Sequence, residues 1–315
     1  MRFFTKRNQT ESAARIQRKP AGKTLGHPKD GKRYIALGIV LWLLAFAFIF
    51  PMVMTFADSF MSETEIAQNY GTVNPDTEDG RDYADLDLIP DIVTPDQYYS
   101  ILIGNTGYLM MFWNSVLLTA PIIAGQVAIG ALAAYAFSAF QFKGRSILFA
   151  VYLITMLMPF QVTLVPNYLM ADALGILGKY SSIIFPGIFA TFGVFLLRQF
   201  MVNIPKETIE AAKMDGAGHM RIFFRVVLPL CKPALASLVI LSFIDNWGMV
   251  EQPLVFLKNA NMQPLSLYLS RINEGSLGIA FAASALYMLP IILIFLAGER
   301  YLVEGIQLTN FKDSI

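Results

Sequence analysis

Four residues able to handle a polar solute sit inside an otherwise apolar run: Asp245, Asn246, Trp247 and, less than two helical turns later, Glu251. A carboxylate at the centre of a membrane-crossing helix costs about 2.5–3.5 kcal/mol on insertion scales, so Asp245 must face a bundle interior or a watery cavity. The chemistry this permits is hydrogen bonding to a passing solute. The alternative is that Asp245 and Glu251 only satisfy bonds between helices, or that Glu251 lies near the outer interface. Bond-breaking chemistry has no comparable support. The single cysteine, Cys231, excludes an internal disulfide and a multi-Cys metal site. His27 and His219 fall in separate polar segments, so no metal ligand set and no catalytic pair is expected. Gly22-Lys23-Thr24 ends like a phosphate-binding loop, but Gln17 stands where the leading glycine is required and no strand precedes it. No cofactor is expected in this chain, and it is not expected to be an enzyme.

A second constellation, Glu210-Ala211-Ala212 with Asp215 and Gly216, lies in a polar loop between long apolar runs. Pro205 suits the first position of a helix, where a missing N–H loses nothing. Glu207 and Glu210 lie toward that helix's positive end. Ala211 and Ala212 are strong helix formers, small enough to let another surface approach. Gly216 and Gly218 predict its end, the former as a left-handed cap. Met220, Phe223, Phe224, Val227 and Leu228 then recur at i, i+3, i+4, i+7 and i+8, which predicts a second helix with one apolar face. Pro229 and Pro233 close the loop.

The elements that position these residues are membrane helices. Of the 315 residues, 55% are hydrophobic and 15% charged, outside the range of ordinary soluble domains. Apolar runs over 34–56, 109–137, 146–166, 181–201, 234–257 and 278–302 each reach about 20 residues, enough to cross the hydrocarbon layer. The runs are continuous rather than alternating, which excludes a β-barrel. The expected fold is therefore an all-α integral membrane protein with six transmembrane helices. Twenty of the 24 Lys and Arg fall before Tyr34, in the 2–3 and 4–5 connections with Arg198, or after Glu299; four (Arg81, Lys179, Lys258, Arg271) fall on the other side. Basic residues stay in the cytoplasm, so both termini are expected there. The organisation is a basic cytoplasmic tail over 1–33, a first span over 34–56, an acidic extracytoplasmic segment over 57–108, a five-span core over 109–302 with a loop at 202–233, and a cytoplasmic C-terminal tail over 303–315. The basic tail either attracts anionic lipid or serves as a topology signal with solvated charges. The acidic segment carries eleven Asp and Glu against one Arg, and is either a docking surface for a solute-bearing partner or a solvated face. There is no convincing internal repeat of the kind that builds secondary transporters. Two acids in one span are thin support for a transporter acting alone.

Glu210-Ala211-Ala212, three residues, Gly216, nine residues, Val226, one residue and Leu228-Pro229 is similar to the signature of binding-protein-dependent ABC import permeases, with Val226 where Ile is usual. Further stretches resemble the smaller permease of the maltose-transporter type, in the carbohydrate importer family. They are Asn114-Ser115, Ala134-Tyr135-Ala136-Phe137, Phe142-Lys143-Gly144-Arg145, Met158-Pro159, Pro166-Asn167-Tyr168 and Phe195 through Phe200. The resemblance implies a coupling helix between spans 4 and 5 that seats in a groove of a separate ATPase. Glu210 would anchor there, Ala211 and Ala212 would allow close approach, Asp215 would lie at the helix end, and Gly216 would supply the turn. It also implies alternating access driven by ATP and Mg in partner subunits. The implied partners are a second homologous permease, two ABC ATPase subunits, an extracytoplasmic solute-binding protein and membrane lipid, with no nucleic acid. Trp247 and Pro253-Leu254 match the family pattern, whereas Gly248, Met249, Glu251 and Gln252 depart from it. A non-sugar solute carried by the same architecture is the alternative. At the C-terminus, Gln307 through Ile315 replace the family's usual tail.

Overall fold

The computed structural model describes residues 31–70, 87–104, 106–270 and 277–310, with side chains from 34 to 301 within them. The basic tail up to residue 30, the acidic stretch 71–86 and the last five residues lie outside the described residues. The chain divides into two compact units, Met1–Met52 and Val53–Ile315.

Among the described residues the structure is helical throughout. The elements in chain order are α1 (Gly31–Asp58), α2 (Glu63–Tyr70), α3 (Asp96–Tyr99), α4 (Thr106–Ala139), α5 (Arg145–Met156), α6 (Phe160–Ala173), α7 (Ser181–Ile188) and α8 (Thr191–Val202). There follow α9 (Lys206–Met214), α10 (His219–Ile222), α11 (Leu228–Leu230), α12 (Lys232–Trp247), α13 (Glu251–Phe256), α14 (Leu265–Leu269) and α15 (Leu277–Asn310). Four stretches are long and apolar enough to cross a membrane: Tyr34–Asp58, Gly107–Ala139, Ser181–Val202 and Leu277–Tyr301. The number rises to six when each of two bent helix pairs counts as one span.

The expected spans over 146–166 and 234–257 are both interrupted: the first bends and the second stops short, while the other bend, of 74°, lies between His219–Leu230 and Lys232–Trp247, ahead of the fifth span. α5 and α6 meet at 103° across a break of three residues. Pro159 has no N–H to continue the ladder and sits extended, at φ −59° and ψ 140°, ahead of α6. α12 ends at Trp247 rather than running to 257. Pro253 could not have bonded the Met249 carbonyl four residues back, and that carbonyl accepts from Ser266 Oγ at 2.5 Å instead. Pro290, by contrast, lies inside the unbroken α15.

α4 is the spine of the second unit, packing on α7, α8 and α12. Small residues allow the approach. Ile122 of α4 fills the space over Gly187, where a Cβ would lie 3.0 Å from its side chain, and Ile188 of α7 fills the space over Gly125, where a Cβ would lie 2.5 Å away. Buried Gln126 ties three helices together: its Nε2 donates to the Gly187 carbonyl at 2.8 Å and its Oε1 accepts from Ser242 Oγ at 2.5 Å. At the other end of α4, the Asn114 amide donates to the Asn261 and Gln263 carbonyls at 2.8 and 3.0 Å, while its Oδ1 accepts from Tyr180 at 2.8 Å.

Candidate functional site

The polar loop folds as an elbow. Pro205 stands one residue ahead of the helix, at φ −56° and ψ 131°, so it precedes rather than occupies the first helical position. α9 then runs to Met214, with Asp215 at its C-cap. Gly216 has φ +76°, the left-handed conformation expected from sequence. Its N–H donates to the Lys213 carbonyl at 3.0 Å and the Ala217 N–H donates to the Ala212 carbonyl at 3.0 Å, the pair of bonds that closes a Schellman cap. Glu210, Ala211 and Asp215 are exposed along this helix, and Met214 is 88% exposed. Ala212 is half-buried: with Ile209 and Ala217 it packs inward. The two alanines therefore face different ways, Ala211 outward and Ala212 onto the protein's own core.

The second part of the elbow differs from the regular amphipathic helix that the apolar spacing predicts. After His219–Ile222 the backbone widens into a π-helical turn over Phe223–Val227, and helix resumes at Leu228–Leu230. The inward face is Ile222, just before the wider turn, with Phe223 and Val227 in it and Cys231 after it. Met220 and Phe224 are left outside, 61% and 57% exposed. These inward residues join Ala131, Ala134 and Tyr135 of α4, Leu197 and Met201 of α8, and Ala234 and Leu238 of α12 in one apolar cluster. His219 packs against Phe140 with the rings tilted 45° and their centroids 4.6 Å apart, and its Nδ1 lies 3.4 Å from the Tyr135 hydroxyl. Among the described residues there is no group of three His, Cys, Asp or Glu suited to a metal ion.

The residues singled out around Trp247 separate into two environments. Trp247 is buried, stacked on Phe243 at 5.2 Å and Tyr287 at 5.9 Å, and its Nε1 donates to the Tyr287 carbonyl at 3.3 Å. With Phe243, Thr119 and Ile294 it borders a largely apolar cavity of about 510 Å³ between α4, α12 and α15. Asn246 turns its amide onto its own helix, donating to the Ser242 carbonyl at 2.7 Å. Asp245 and Glu251 are exposed. Asp245 lies about 20 Å along α12 from Lys232, taking about 1.5 Å per residue. Glu251 opens α13 directly after the break in span five, and both its carboxylate oxygens accept from Gln161 Nε2 at 3.3 Å. Gln161 lies just past the break in span three, so the two helix breaks meet through this pair. Sequence reasoning missed Gln161; the signal was a polar residue two positions after Pro159 in an apolar run.

Residues 126–307 match the family described as binding-protein-dependent transport system inner membrane component. The arabinooligosaccharides transport system permease protein AraQ of Halalkalibacterium halodurans is 29% identical over 284 residues, covering 87% of this chain and 97% of its own. The sn-glycerol-3-phosphate transport system permease protein UgpE of Brucella abortus is 26% identical over 306 residues, covering 94% and 99%. Among solved structures, a chain of a bacterial ABC transporter involved in import of the acidic polysaccharide alginate superposes with a TM-score of 0.72 at 23% identity, covering 88% of this chain and 98% of that one. Spans broken where polar residues gather and a capped elbow built into the bundle core accord with the family match. The chain belongs to the binding-protein-dependent transport system inner membrane components: it is a multi-pass, non-catalytic permease subunit of an ABC importer.

Proposed function

We propose that this chain moves a neutral carbohydrate inward by alternating access, driven through its elbow by separate ATPase subunits. The observation that carries the coupling role is the continuity of the elbow with the bundle. The inner side of α9–α11 shares one apolar cluster with α4, α8 and α12, while Glu210, Ala211 and Met214 are free on the outer side. A push on the outer face therefore reaches three helices at once, as a rigid-body, two-state switch requires. In this reading Glu210 meets a basic residue of the ATPase, Ala211 lets the surfaces close up, and Ala212, Asp215 and Gly216 hold the helix and its turn in shape. The assembly contains a second homologous permease, two ABC ATPase subunits that bind ATP and Mg, and an extracytoplasmic solute-binding protein. The distribution of Lys and Arg supports both termini being cytoplasmic.

The solute reading rests on the relatives and on two carboxylates. AraQ is named for arabinooligosaccharides, UgpE for sn-glycerol-3-phosphate, and the structural neighbour belongs to an importer of acidic alginate. From 146 to 178 and from 233 to 257 this chain carries no Lys or Arg, yet Asp245 and Glu251 stand exposed there. A negative surface in a low-dielectric passage repels phosphate and uronate and suits sugar hydroxyls, which donate to carboxylates. The same carboxylates favour a cationic non-sugar solute as the second reading. The test is uptake by the assembled transporter in proteoliposomes. ATP-dependent accumulation of a neutral oligosaccharide, abolished by Glu210→Arg without loss of membrane insertion, is expected. Uptake that proceeds without any ATPase subunit would refute the coupling role, and preference for a cationic solute would replace the sugar.

A further inference from the structure

Phe142-Lys143-Gly144-Arg145, the turn between α4 and α5, takes no part in the coupling or solute-handling just described, yet it builds a site. It borders a cavity of about 730 Å³ whose lining includes Lys143, Arg145, Ser146, Phe149 and Arg198. Three cations converge there from two elements distant in sequence. Among the described residues no carboxylate lines the cavity and none of the three forms an ion pair. Arg145 spends one guanidinium N–H on the Phe140 carbonyl at 3.3 Å, which holds it beside the opening. Arg198 lies with its guanidinium carbon 3.9 Å above the Phe149 ring, and its buried Nε has no hydrogen-bond partner among the described residues. An arginine at the end of an apolar span is costly to keep charged unless an anion balances it.

The backbone adds to this field. Gly144 takes φ +85° so that the chain turns directly into α5, a helix of twelve residues whose first turn has no side-chain cap. The N–H groups of that first turn lie at the positive end of the helix, on Ser146 and Ile147, which also line the cavity. We propose that this cavity binds a phosphate group, held by Lys143, Arg145, Arg198 and the first turn of α5. Arginine forks and helix N-termini match the tetrahedral oxygens of phosphate. Phe142, Ile147 and Phe149 supply apolar walls beside the cations, which suits a phosphate carrying a glycerol and acyl chains at the inner leaflet. A soluble phosphate satisfies the same donors and is separated from the lipid by experiment.

The assembled transporter is placed in nanodiscs of phosphatidylcholine with or without phosphatidylglycerol, and lipids retained after purification are counted by native mass spectrometry. Inorganic phosphate is added to the phosphatidylcholine-only sample as the soluble arm, with a thermal shift as readout. Phosphatidylglycerol is expected to be retained selectively, and its affinity to fall about fivefold for each cation removed, so about twenty-five-fold in the Lys143→Gln, Arg145→Gln double variant. Lys143 is exposed and Arg145 half-buried, so this pair keeps the test decisive even where Arg198→Gln disturbs folding. A thermal shift with phosphate alone, lost in the double variant, supports the site with a soluble occupant. The proposal is overturned when neither probe binds the parent protein, or when the double variant binds both as the parent does.

Discussion

Replacing Gly216 tests the elbow most directly. Its φ of +76° is the left-handed conformation, and a Cβ built there meets nothing within 4 Å. Crowding therefore contributes nothing, and the whole cost of a side chain is backbone strain, roughly 1–2 kcal/mol for an ordinary L-residue. The strained cap gives up the bonds from Gly216 to the Lys213 carbonyl and from Ala217 to the Ala212 carbonyl, and the last turn of α9 frays. If the frayed elbow does not seat, apparent affinity for the ATPase subunit falls by at most about 5–30-fold, since each 1.4 kcal/mol is a factor of ten. Gly216→Val is expected near the upper end and Gly216→Asn near parental, because Asn tolerates left-handed backbone. The assay is binding of purified ATPase subunit to permease in nanodiscs, alongside solute-stimulated ATP hydrolysis. The reasoning fails when Val binds as tightly as Gly, or when Asn is as damaging as Val.

Other perturbations probe separate parts of the account. Glu210→Arg reverses an exposed charge, so thermal stability is expected to stay within about 0.5 kcal/mol while ATPase stimulation is lost. Ile222→Ala is expected to cost about 2–5 kcal/mol in unfolding, whereas Met220→Ala costs little; equal costs would contradict the burial of Ile222 and the exposure of Met220. Gln126→Leu removes two bonds between helices and is expected to cost about 1–2 kcal/mol in equilibrium unfolding in mixed micelles. Glu251→Gln is expected to raise KM for a neutral sugar with ATPase coupling retained, and Glu251→Lys to admit phosphorylated or uronic solutes; an unchanged solute profile in both would remove Glu251 from the pathway.

Much of the elbow was legible because its signals are local. Pro205, the alanines and Gly216 each impose a backbone preference regardless of neighbours, and α9 ends at Gly216's left-handed turn as those preferences require. The turn at Phe223–Val227 was not legible. Apolar spacing was projected at 3.6 residues per turn from Met220, yet Met220 lies outside and Ile222 inside before the wide turn begins, and the turn itself then sets Phe223 and Val227 inward with Phe224 exposed. The broken spans were only partly legible: a proline such as Pro159 permits a break but gives no angle, and Pro290 sits in a continuous helix. Trp247 carried a family pattern but no record of its stacking partners, since Tyr287 lies forty residues away on α15. The bond from Gln161 to Glu251 is likewise nonlocal, and nothing in either neighbourhood announces the other.

Ile122 over Gly187 and Ile188 over Gly125 have a genetic consequence. Each glycine is a socket for the opposite helix's isoleucine, so enlarging one socket's floor alone forces α4 and α7 apart. Shrinking the matching isoleucine in the same step restores the fit. These four positions are therefore predicted to mutate in couples: a library seeded with Gly125→Ala should yield revertants smaller at 188, and one seeded with Gly187→Ala should yield them at 122.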